Sequence, residues 1–313
     1  MTSLLFGDSF DSYNSGTEFI MRGWSTSSMS VYASGRNGKA IDPWGNPFCA
    51  IPNTADVVVG LASYFRQYSF IIVKLMDGTT GQTELYLNSD GTISIRRNGT
   101  VLATTTAMYT TNTWYHIQFR TLVADSGGVA ELKINNEVVL TYTGDTKNTT
   151  NAYVNRVQLL NGQYADDFYV ANGYLGDLKG VVLRPSANGT NSAWAVSGAA
   201  SQYMAVDDTY PNTTDYIASS LAGSKCDFEF TDPTGLGEII GAHLITTAMK
   251  DDAGSRVIRP YALIDGVIYY GSNISLGSSY VSYAEMFNTN PATGLAWTIY
   301  ELTNAKFGVE VVS

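Results

Sequence analysis

The sequence predicts an all-β protein built from two β-sandwiches. Gly, Ser, Thr, Asn and Tyr are abundant, and charged residues make up only 15% of the chain. Such a composition is typical of many short strands joined by turns. A length of 313 residues suits two cores better than one, because domains usually contain about 100–200 residues. We therefore predict a first domain over residues 1–178 and a smaller one over residues 179–313.

Short alternating runs separated by turn residues fill the region from Phe70 to Val170. Asn98-Gly99 is a strong hairpin signal, because both residues tolerate the positive φ of a type I′ turn. The number of runs is sufficient for a two-sheet sandwich. The clearest strand patterns cover residues 70–76, 83–88, 92–97, 113–120, 153–160 and 166–170.

A polar, small-residue stretch over residues 186–203 is the best candidate for a boundary loop. Alternation then resumes and predicts the second sandwich, with short helical turns around Ile217–Leu221 and Tyr283–Phe287. The strand-like runs of this half cover residues 226–233, 238–250, 257–266, 267–271 and 306–313.

Charge and cysteine usage limit the possible partners. The net charge of −10 comes from dispersed acids, which disfavours nucleic acid as a partner. No apolar run approaches the roughly 20 residues that cross a bilayer, and the N-terminus lacks the basic region of a signal peptide, so we expect no membrane insertion and synthesis in a cytoplasm. Cys49 and Cys226 fall in different predicted domains, and we expect both to be free and buried.

Motifs for nucleophilic or transition-metal catalysis are missing from the sequence. The chain has two histidines, His116 and His243, and each lies inside a strand pattern. Neither accompanies a G-x-S-x-G, H-E-x-x-H or C-x-x-C spacing. We therefore expect no enzyme of these classes and no cofactor.

One pair of acids has the spacing that glycoside hydrolysis can use. Asp227 and Glu229 alternate in a strand pattern and so project from the same face. A polysaccharide depolymerase would need two such carboxylates. The simpler alternative is a solvated strand face, with Phe228 and Phe230 turned into the core.

Four acids are candidates for a calcium site: Asp8, Asp11, Asp166 and Asp167. Calcium takes several oxygen ligands, and the two pairs would meet if the first and last strands of the first domain were neighbours. The alternative is that these side chains cap turns and bind their own backbone.

Three aromatic residues are candidates for contacts with a glycan: Trp44, Tyr109 and Trp114. The apolar faces of sugars pack on such rings. Each could equally belong to the core. The 21 tyrosines would also suit a protein–protein contact surface.

The first half of the chain resembles a laminin-G-like, concanavalin-type jelly roll. The resemblance rests on the segments "SFDSY", "TWYHIQFRTLVADSGGVAELKINNEVVLTYTGDT", "VNRVQLL" and "ADDFYV". It implies that the last of these segments closes the sandwich beside the N-terminal segment. Phe168 and Val170, or alternatively Tyr169, would then pack inward, and Asp166 and Asp167 would cap the seam.

The second half is similar to structural proteins of tailed-bacteriophage virions. The segments that carry this similarity are "YLGDLKGVVLRP", "YMAVDDTYPNTTDYIAS" and "NPATGLAWTIYELTNAKFGV". The resemblance implies a non-enzymatic protein on the particle exterior, in the tail, a fibre or a head decoration, assembled in the host cytoplasm. Its partners would be other virion proteins, copies of itself and possible host surface glycans. The chain lacks the E-x-D-x-E strand of jelly-roll enzymes.

Two further functions remain open beside this one. The protein could recognise a glycan of the host surface as a receptor-binding module, with exposed aromatic residues as the contact surface. A depolymerase is the less favoured alternative.

Overall fold

A computed structural model of the protein describes residues 2–26, 28–210, 212–233 and 237–313, except for the side chain of Thr17. The structure is antiparallel β almost throughout, which confirms the all-β fold class. The chain divides into two compact units, Met1–Gly180 (unit 1) and Val181–Ser313 (unit 2). No helix in the described ranges is long and apolar enough to cross a membrane.

Unit 1 is a two-sheet sandwich with one short helix. Its elements are β1 (Leu4–Asp8), α1 (Gly16–Met21), β2 (Ser30–Tyr32), β3 (Ala40–Asp42), β4 (Phe48–Thr54), β5 (Asp56–Phe65), β6 (Phe70–Asp77), β7 (Thr80–Leu87), β8 (Ile93–Arg97), β9 (Thr100–Thr104), β10 (Trp114–Leu122), β11 (Gly128–Ile134), β12 (Glu137–Gly144), β13 (Val154–Leu159) and β14 (Gln163–Ala171).

The chain passes repeatedly between the two sheets of unit 1, as in a jelly roll. Sheet 1 has the strand order β12-β11-β10-β5-β14-β3-β2, with β1 also paired to β14. Sheet 2 has the order β4-β13-β6-β7-β8-β9. Alternation along each strand sends one set of side chains into a shared core and the other set to the outer face of its sheet.

The predicted closure of unit 1 is confirmed. β1 pairs antiparallel with β14, so the N-terminal segment lies beside the strand that contains Asp166 and Asp167. Phe168 and Val170 are buried in the core. Trp24 packs 5.4 Å from Phe168, measured between ring centroids, which ties the N-terminal region to the core.

Unit 2 is built around a six-stranded sheet. Its elements are β15 (Pro185–Ser192), β16 (Ala195–Ser197), a 3-10 turn (Tyr203–Ala205), β17 (Tyr216–Ala218), β18 (Lys225–Phe230), β19 (Ala242–Ala248), β20 (Val257–Ile264), β21 (Val267–Tyr270), β22 (Ile274–Ser275), β23 (Val281–Phe287), α2 (Ile299–Asn304) and β24 (Lys306–Val311).

The second layer of unit 2 is smaller than the first. The main sheet has the order β15-β18-β24-β20-β21, with β22 also paired to β20. The two-stranded sheet of β19 and β23 contributes Phe287 to the core, and α2 contributes Leu302. Trp297 joins them and donates a hydrogen bond from Nε1 to the carbonyl oxygen of Phe287 at 2.9 Å.

Three local predictions for the second half are wrong. The polar stretch 186–203, predicted as a loop, contains most of β15 and all of β16, because Asn and Ser side chains alternate outward along a paired strand. The predicted helical turns at Ile217–Leu221 and Tyr283–Phe287 overlap β17 and β23, respectively. In both places cross-strand pairing overrides the weak local preference.

Both cysteines are free and buried, as expected. Burial raises the pKa of the Cys226 thiol to about 12 and that of Cys49 well above its usual range. Both thiols are therefore un-ionised at neutral pH and serve as small apolar groups.

Candidate functional site

The four predicted calcium ligands do not form one set. Asp8 is buried apart from the others, and its carboxylate accepts hydrogen bonds from the Tyr13 hydroxyl, from Trp24 Nε1 at 2.9 Å and from the Phe10 backbone N–H at 3.0 Å. These donors occupy the oxygens that a cation would need. Asp8 instead anchors the N-terminal aromatic cluster to β1.

The other three acids hold the loop of residues 35–39. The Lys39 backbone N–H donates to Asp11 at 2.8 Å, and that of Asn37 donates to Asp166 at 2.9 Å. Asp167 accepts from Arg36 at 3.0 Å and from the Asn37 amide at 2.6 Å. No group of three or more His, Cys, Asp or Glu side chains in the described residues could hold a metal ion. Protein donors already satisfy these carboxylates in the described part of the chain, and calcium binding by them stays a prediction.

Asp166 carries the largest electrostatic perturbation of this group. Its side chain is fully buried. Burial raises its pKa to about 7, and the nearby carboxylates of Asp167 and Asp11 act in the same direction. Hydrogen bonds from the Asn37 and Asp167 backbone N–H groups favour the ionised form but do not offset the loss of hydration.

The three predicted glycan contacts have different environments. Tyr109 is 8% exposed and packs edge-on against Tyr115 in the core of unit 1, which leaves little of its ring for the predicted contact with a glycan. Trp44 is 52% exposed in the connection between β3 and β4. Trp114 begins β10 and lies half-buried on the outer face of sheet 1.

Trp114 is the end of a row of four aromatic side chains that crosses sheet 1. Its ring centroid is 5.5 Å from that of Tyr64, which is 5.8 Å from Tyr164, which is in turn 4.0 Å from Tyr32. We call these four residues the aromatic row. Tyr32 is 38% exposed, and the other three are half-buried.

Strand register aligns the row. Trp114 is the direct partner of Tyr64 across β10 and β5, and Tyr64 is the direct partner of Tyr164 across β5 and β14. Adjacent strands are about 4.8 Å apart, so rings in register stack on one another. Ser63 and Phe65, the neighbours of Tyr64 along β5, face the core.

The two ends of the row differ in what they present to solvent. The three tyrosine rings stack nearly face to face, with interplanar angles of 5° and 27°, so that their edges point outward. Trp114 is tilted 56° to Tyr64. Pairing of β10 with β11 stops at Ile117, and no paired strand of the described structure lies beside Trp114 on that side. The indole therefore has an open flank.

A polar group lies against the tyrosine part of the row. Arg66 places its guanidinium 4.7 Å from the centre of the Tyr164 ring. It is held there by Asp42 at 2.8 Å and by the side-chain oxygen of Asn161 at 2.7 Å. Hydrogen-bonding groups thus accompany the apolar rings, as in sites that bind amphipathic ligands.

The segment of residues 172–180 covers much of the remaining outer face of sheet 1. The Gly176 backbone N–H and the Tyr169 hydroxyl both donate to Gln118 Oε1, at 3.1 and 3.0 Å. Tyr174 donates its hydroxyl proton to Glu131 at 2.7 Å. Beneath this cover, burial lowers the pKa of His116. The aromatic row lies on the part of the face left open.

The acid pair Asp227 and Glu229 shares one face of β18, as predicted, but the two side chains have different environments. Asp227 is fully buried and accepts hydrogen bonds from the Tyr261 hydroxyl at 2.8 Å and from the Thr190 backbone N–H at 2.6 Å. Glu229 is exposed and pairs with Lys306 at 3.2 Å.

Three residues of the aromatic row were missed from the sequence: Tyr32, Tyr64 and Tyr164. Tyr64 and Tyr164 each precede an inward-facing residue of their strand, and this alternation indicates locally that their side chains point outward. What makes them a row is the register of strands that are 50 and 100 residues apart in the chain, as counted from Tyr64 to Trp114 and from Tyr64 to Tyr164.

Comparisons with known proteins give no family assignment. No family model matches the chain, and no curated protein matches it. Among solved structures, the chain is similar to a sialidase, with 13% identity and a TM-score of 0.39 over 53% of this chain and 18% of the sialidase. It is also similar to the galectin LEC-6 of Caenorhabditis elegans, with 12% identity and a TM-score of 0.33 over 41% of this chain and 92% of the galectin. A third similar structure is the carbohydrate-binding module CBM66 of Bacillus subtilis, with 12% identity and a TM-score of 0.34 over 47% of this chain and 94% of the module. At these TM-scores the similarities carry no functional argument.

Proposed function

We propose that unit 1 is a carbohydrate-binding module and that the aromatic row is its contact surface. The observation that carries this proposal is the continuous set of four aromatic side chains on an open part of sheet 1, with the Arg66 group beside it. Sugars have apolar faces ringed by hydroxyls, so they suit a surface that combines rings with hydrogen-bonding groups.

The geometry assigns different roles within the row. Trp114, with its open flank, is the ring on which a sugar face packs. The outward tyrosine edges and the Arg66 group supply hydrogen bonds to hydroxyls farther along the chain of sugars. The row takes its rings from four strands and crosses a fifth, β3, so it can contact more than one residue of an oligosaccharide.

Binding to a panel of soluble polysaccharides, measured by affinity electrophoresis of the full chain, tests the proposal. We expect retardation by at least one polysaccharide. Trp114→Ala should weaken it about tenfold or more, because truncating a central aromatic contact costs about 2 kcal/mol and each 1.4 kcal/mol is tenfold in affinity. Tyr216→Ala is the matched control, since Tyr216 is 44% exposed on unit 2 and belongs to neither proposed contact surface.

Two results would contradict the proposal. One is a wild-type protein that no polysaccharide retards. The other is Trp114→Ala and Tyr64→Ala variants that are retarded as strongly as wild type while their thermal unfolding is unchanged.

The proposed activity is binding without catalysis. This is supported by the environment of Asp227, whose carboxylate is buried and committed to protein donors, so it is not free to face a glycosidic bond. A depolymerase using Asp227 and Glu229 would need the opposite arrangement. Cleavage of a bound polysaccharide that Glu229→Gln abolishes would overturn this part of the proposal.

A structural role on a bacteriophage particle is the second candidate. The observation that favours it is an apolar group on unit 2 in which Leu295, Ile299 and Tyr300 are 66%, 42% and 77% exposed within a short segment. Exposed apolar groups of this kind mark protein contact surfaces. Contacts between copies of the chain would use this group, and a glycan-binding unit 1 would then serve recognition of the host surface by many weak sites acting together.

Sedimentation of the full chain tests this second candidate. We expect wild type to self-associate at micromolar concentration, and Leu295→Asp to sediment as a monomer with unchanged thermal unfolding. A wild-type protein that stays monomeric throughout the concentration series would count against contacts between copies.

A further inference from the structure

The outer face of sheet 2 carries a row of polar side chains that the proposed function does not use. Gln158, Lys74, Glu84 and Arg96 are consecutive partners across β13, β6, β7 and β8. The residues next to them along each strand, such as Leu75, Leu85 and Ile95, face the core. Four polar side chains therefore cross the face of this sheet in register.

Arg96 is held in a fixed position on this face. Its guanidinium carbon lies 3.4 Å from the centre of the Tyr86 ring, and Nη2 donates to the Asn88 side-chain oxygen at 3.1 Å. The orientation of Asn88 is fixed in turn, because its amide donates to the Ser94 and Thr92 hydroxyls at 2.7 and 2.9 Å. The side chain of Arg96 is thus preorganised before any ligand arrives.

Arg96 forms no direct ion pair among the described residues, and the acid nearest to it in the row, its cross-strand partner Glu84, pairs with Lys74 instead. Among the described residues, Arg96 takes part in the Asn88 bond and the Tyr86 contact but in no ion pair. Its Nε is buried without a hydrogen-bond acceptor. Because Nε is buried, an acceptor on a ligand would have to reach the Nη groups, whose one hydrogen bond among the described residues is that of Nη2 to Asn88.

The surroundings of Arg96 carry excess positive charge. Glu84 is 3% exposed and its carboxylate lies 3.6 Å from Lys74, so its charge is matched within the row. Arg156, on β13 of the same sheet, lies 4.6 Å over the Phe48 ring and also has no ion pair in the described structure. Two unmatched arginines on one face are unusual in a chain whose net charge is −10.

We propose that the outer face of sheet 2 is a second binding site, specific for a carboxylate-bearing ligand such as a uronic-acid saccharide, with Arg96 as the residue that binds the carboxylate. The planar guanidinium fork matches the two oxygens of a carboxylate, and such charged pairs are about twice as strong as neutral hydrogen bonds. The Tyr86 ring occupies one face of the guanidinium, Nε is buried and Nη2 donates to Asn88, so Nη1 and the second proton of Nη2 are the groups that a ligand carboxylate would use. This site does not depend on the aromatic row, which lies on the other sheet.

Titration calorimetry of the full chain with glucuronic acid, and with glucose as its neutral match, tests the proposal. We expect heat of binding with glucuronic acid only. Arg96→Gln should weaken binding at least about tenfold. Arg96→Lys should retain part of it, because the charge remains but the fork is lost. Arg120→Gln is the matched control, since Arg120 pairs with Asp56 on the outer face of sheet 1.

A second variant, which supplies Arg96 with a carboxylate from the protein itself, distinguishes loss of binding from loss of folding in the Arg96 variants. Asn88→Asp places a carboxylate where the Asn88 oxygen now accepts from Arg96. The Ser94 hydroxyl can reorient to donate to it, because Thr104 can take over as donor to Ser94, whereas the Thr92 hydroxyl keeps the hydrogen bond that it donates to Asp90. We expect this variant to unfold at the same or a higher temperature than wild type and to lose glucuronic acid binding.

Several outcomes would overturn the proposal. Glucose binding as tightly as glucuronic acid, or Arg96→Gln binding as tightly as wild type, would remove the role of the carboxylate. Competition by inorganic sulfate at equal concentration would show a general anion site. Binding of glucuronic acid that is lost in Trp114→Ala but kept in Arg96→Gln would assign this ligand to the aromatic row. If only the proposed function of the aromatic row is wrong, glucuronic acid still binds to the wild-type protein and to Trp114→Ala.

Discussion

Replacing Asp166 with asparagine should change how the stability of unit 1 depends on pH. The folded carboxyl has a pKa of about 7, raised mainly by burial, whereas an aspartate in an unfolded chain titrates near 3.9. Between these values the unfolded state releases the proton and the folded state retains it. The free energy of unfolding contributed by this group therefore falls as pH rises from about 4 to about 7 and is constant above that.

The magnitude follows from the size of the pKa shift. Each unit is worth about 1.4 kcal/mol, so a shift of about three units sets an upper limit of about 4 kcal/mol. Arg36 and Lys39 lie on the loop that binds Asp166 and its neighbours. Movement of their positive charges toward the Asp166 carboxylate would stabilise its ionised form and so reduce the effect below this limit. We therefore expect about 2 kcal/mol between pH 5 and pH 8.

Urea unfolding of wild type and Asp166→Asn at four pH values between 5 and 8 measures the effect. At pH 5 the folded carboxyl is protonated and, like asparagine, has one strong acceptor oxygen for the two backbone N–H groups, so the variant should lie within about 1 kcal/mol of wild type. At pH 8 it should be as stable as wild type or more stable.

The difference between the two proteins is the decisive quantity. Other groups titrate in this range, and burial lowers the pKa of His116, which makes stability rise with pH up to the pKa of an unfolded histidine. That contribution is present in both proteins and cancels. A difference in unfolding free energy that does not vary between pH 5 and pH 8 would refute an elevated pKa for Asp166.

Three further outcomes are expected. Gly60→Ala should destabilise unit 1 by about 2 kcal/mol, because a Cβ there would lie 2.0 Å from the buried Tyr169 ring. Its control is Gly277→Ala, which should be close to neutral because a Cβ at that position meets no atom within 4 Å. Equal unfolding midpoints of the two variants would contradict this. Tyr261→Phe should cost about 1–2 kcal/mol in the unfolding of unit 2, because the buried Asp227 carboxylate loses a donor, and an unchanged urea midpoint would be evidence against that bond. Millimolar calcium should leave the thermal unfolding midpoint unchanged, because protein N–H and O–H groups already donate to the four predicted carboxylate ligands. A midpoint raised by several degrees would be evidence for calcium binding.

The strands that the sequence predicts best are those with one solvent-exposed face and one buried face. β6, β7, β8 and β10 were found because apolar and polar residues alternate along them. The central strand β5 was missed. Its sequence, "DVVVGLASYF", is buried on both faces over most of its length, so it reads as a continuous apolar run without a period.

The candidate site was predictable only in part, because its parts meet through register. The same reasoning predicts Trp114, which lies on the outer face at the start of β10, and Tyr109, which packs in the core. Local sequence does not distinguish these two cases. The stacking of Tyr32 on Tyr164 depends on the pairing of β2, β3 and β14, which no short segment encodes.

The two adjacent acids of β14 show how one inserted residue organises the outer face of sheet 1. Asp166 is paired with Ala62 and Tyr169 with Gly60, so three steps along β14 match two along β5, and Asp167 is the extra residue of a bulge. Asp167 accordingly has a φ of 47°, in the left-handed region.

The bulge frees Asp167 from pairing with β5 without changing the faces of its neighbours. Tyr164 and Asp166 before it, and Tyr169 after it, all point to the outer face, while Phe168 stays in the core. The freed carboxylate accepts a hydrogen bond from the Gly180 backbone N–H at 3.2 Å, at the end of the segment that covers Gln118. The acids at this seam thus help to fix the covering segment, which leaves open the end of the outer face of sheet 1 where the aromatic row lies.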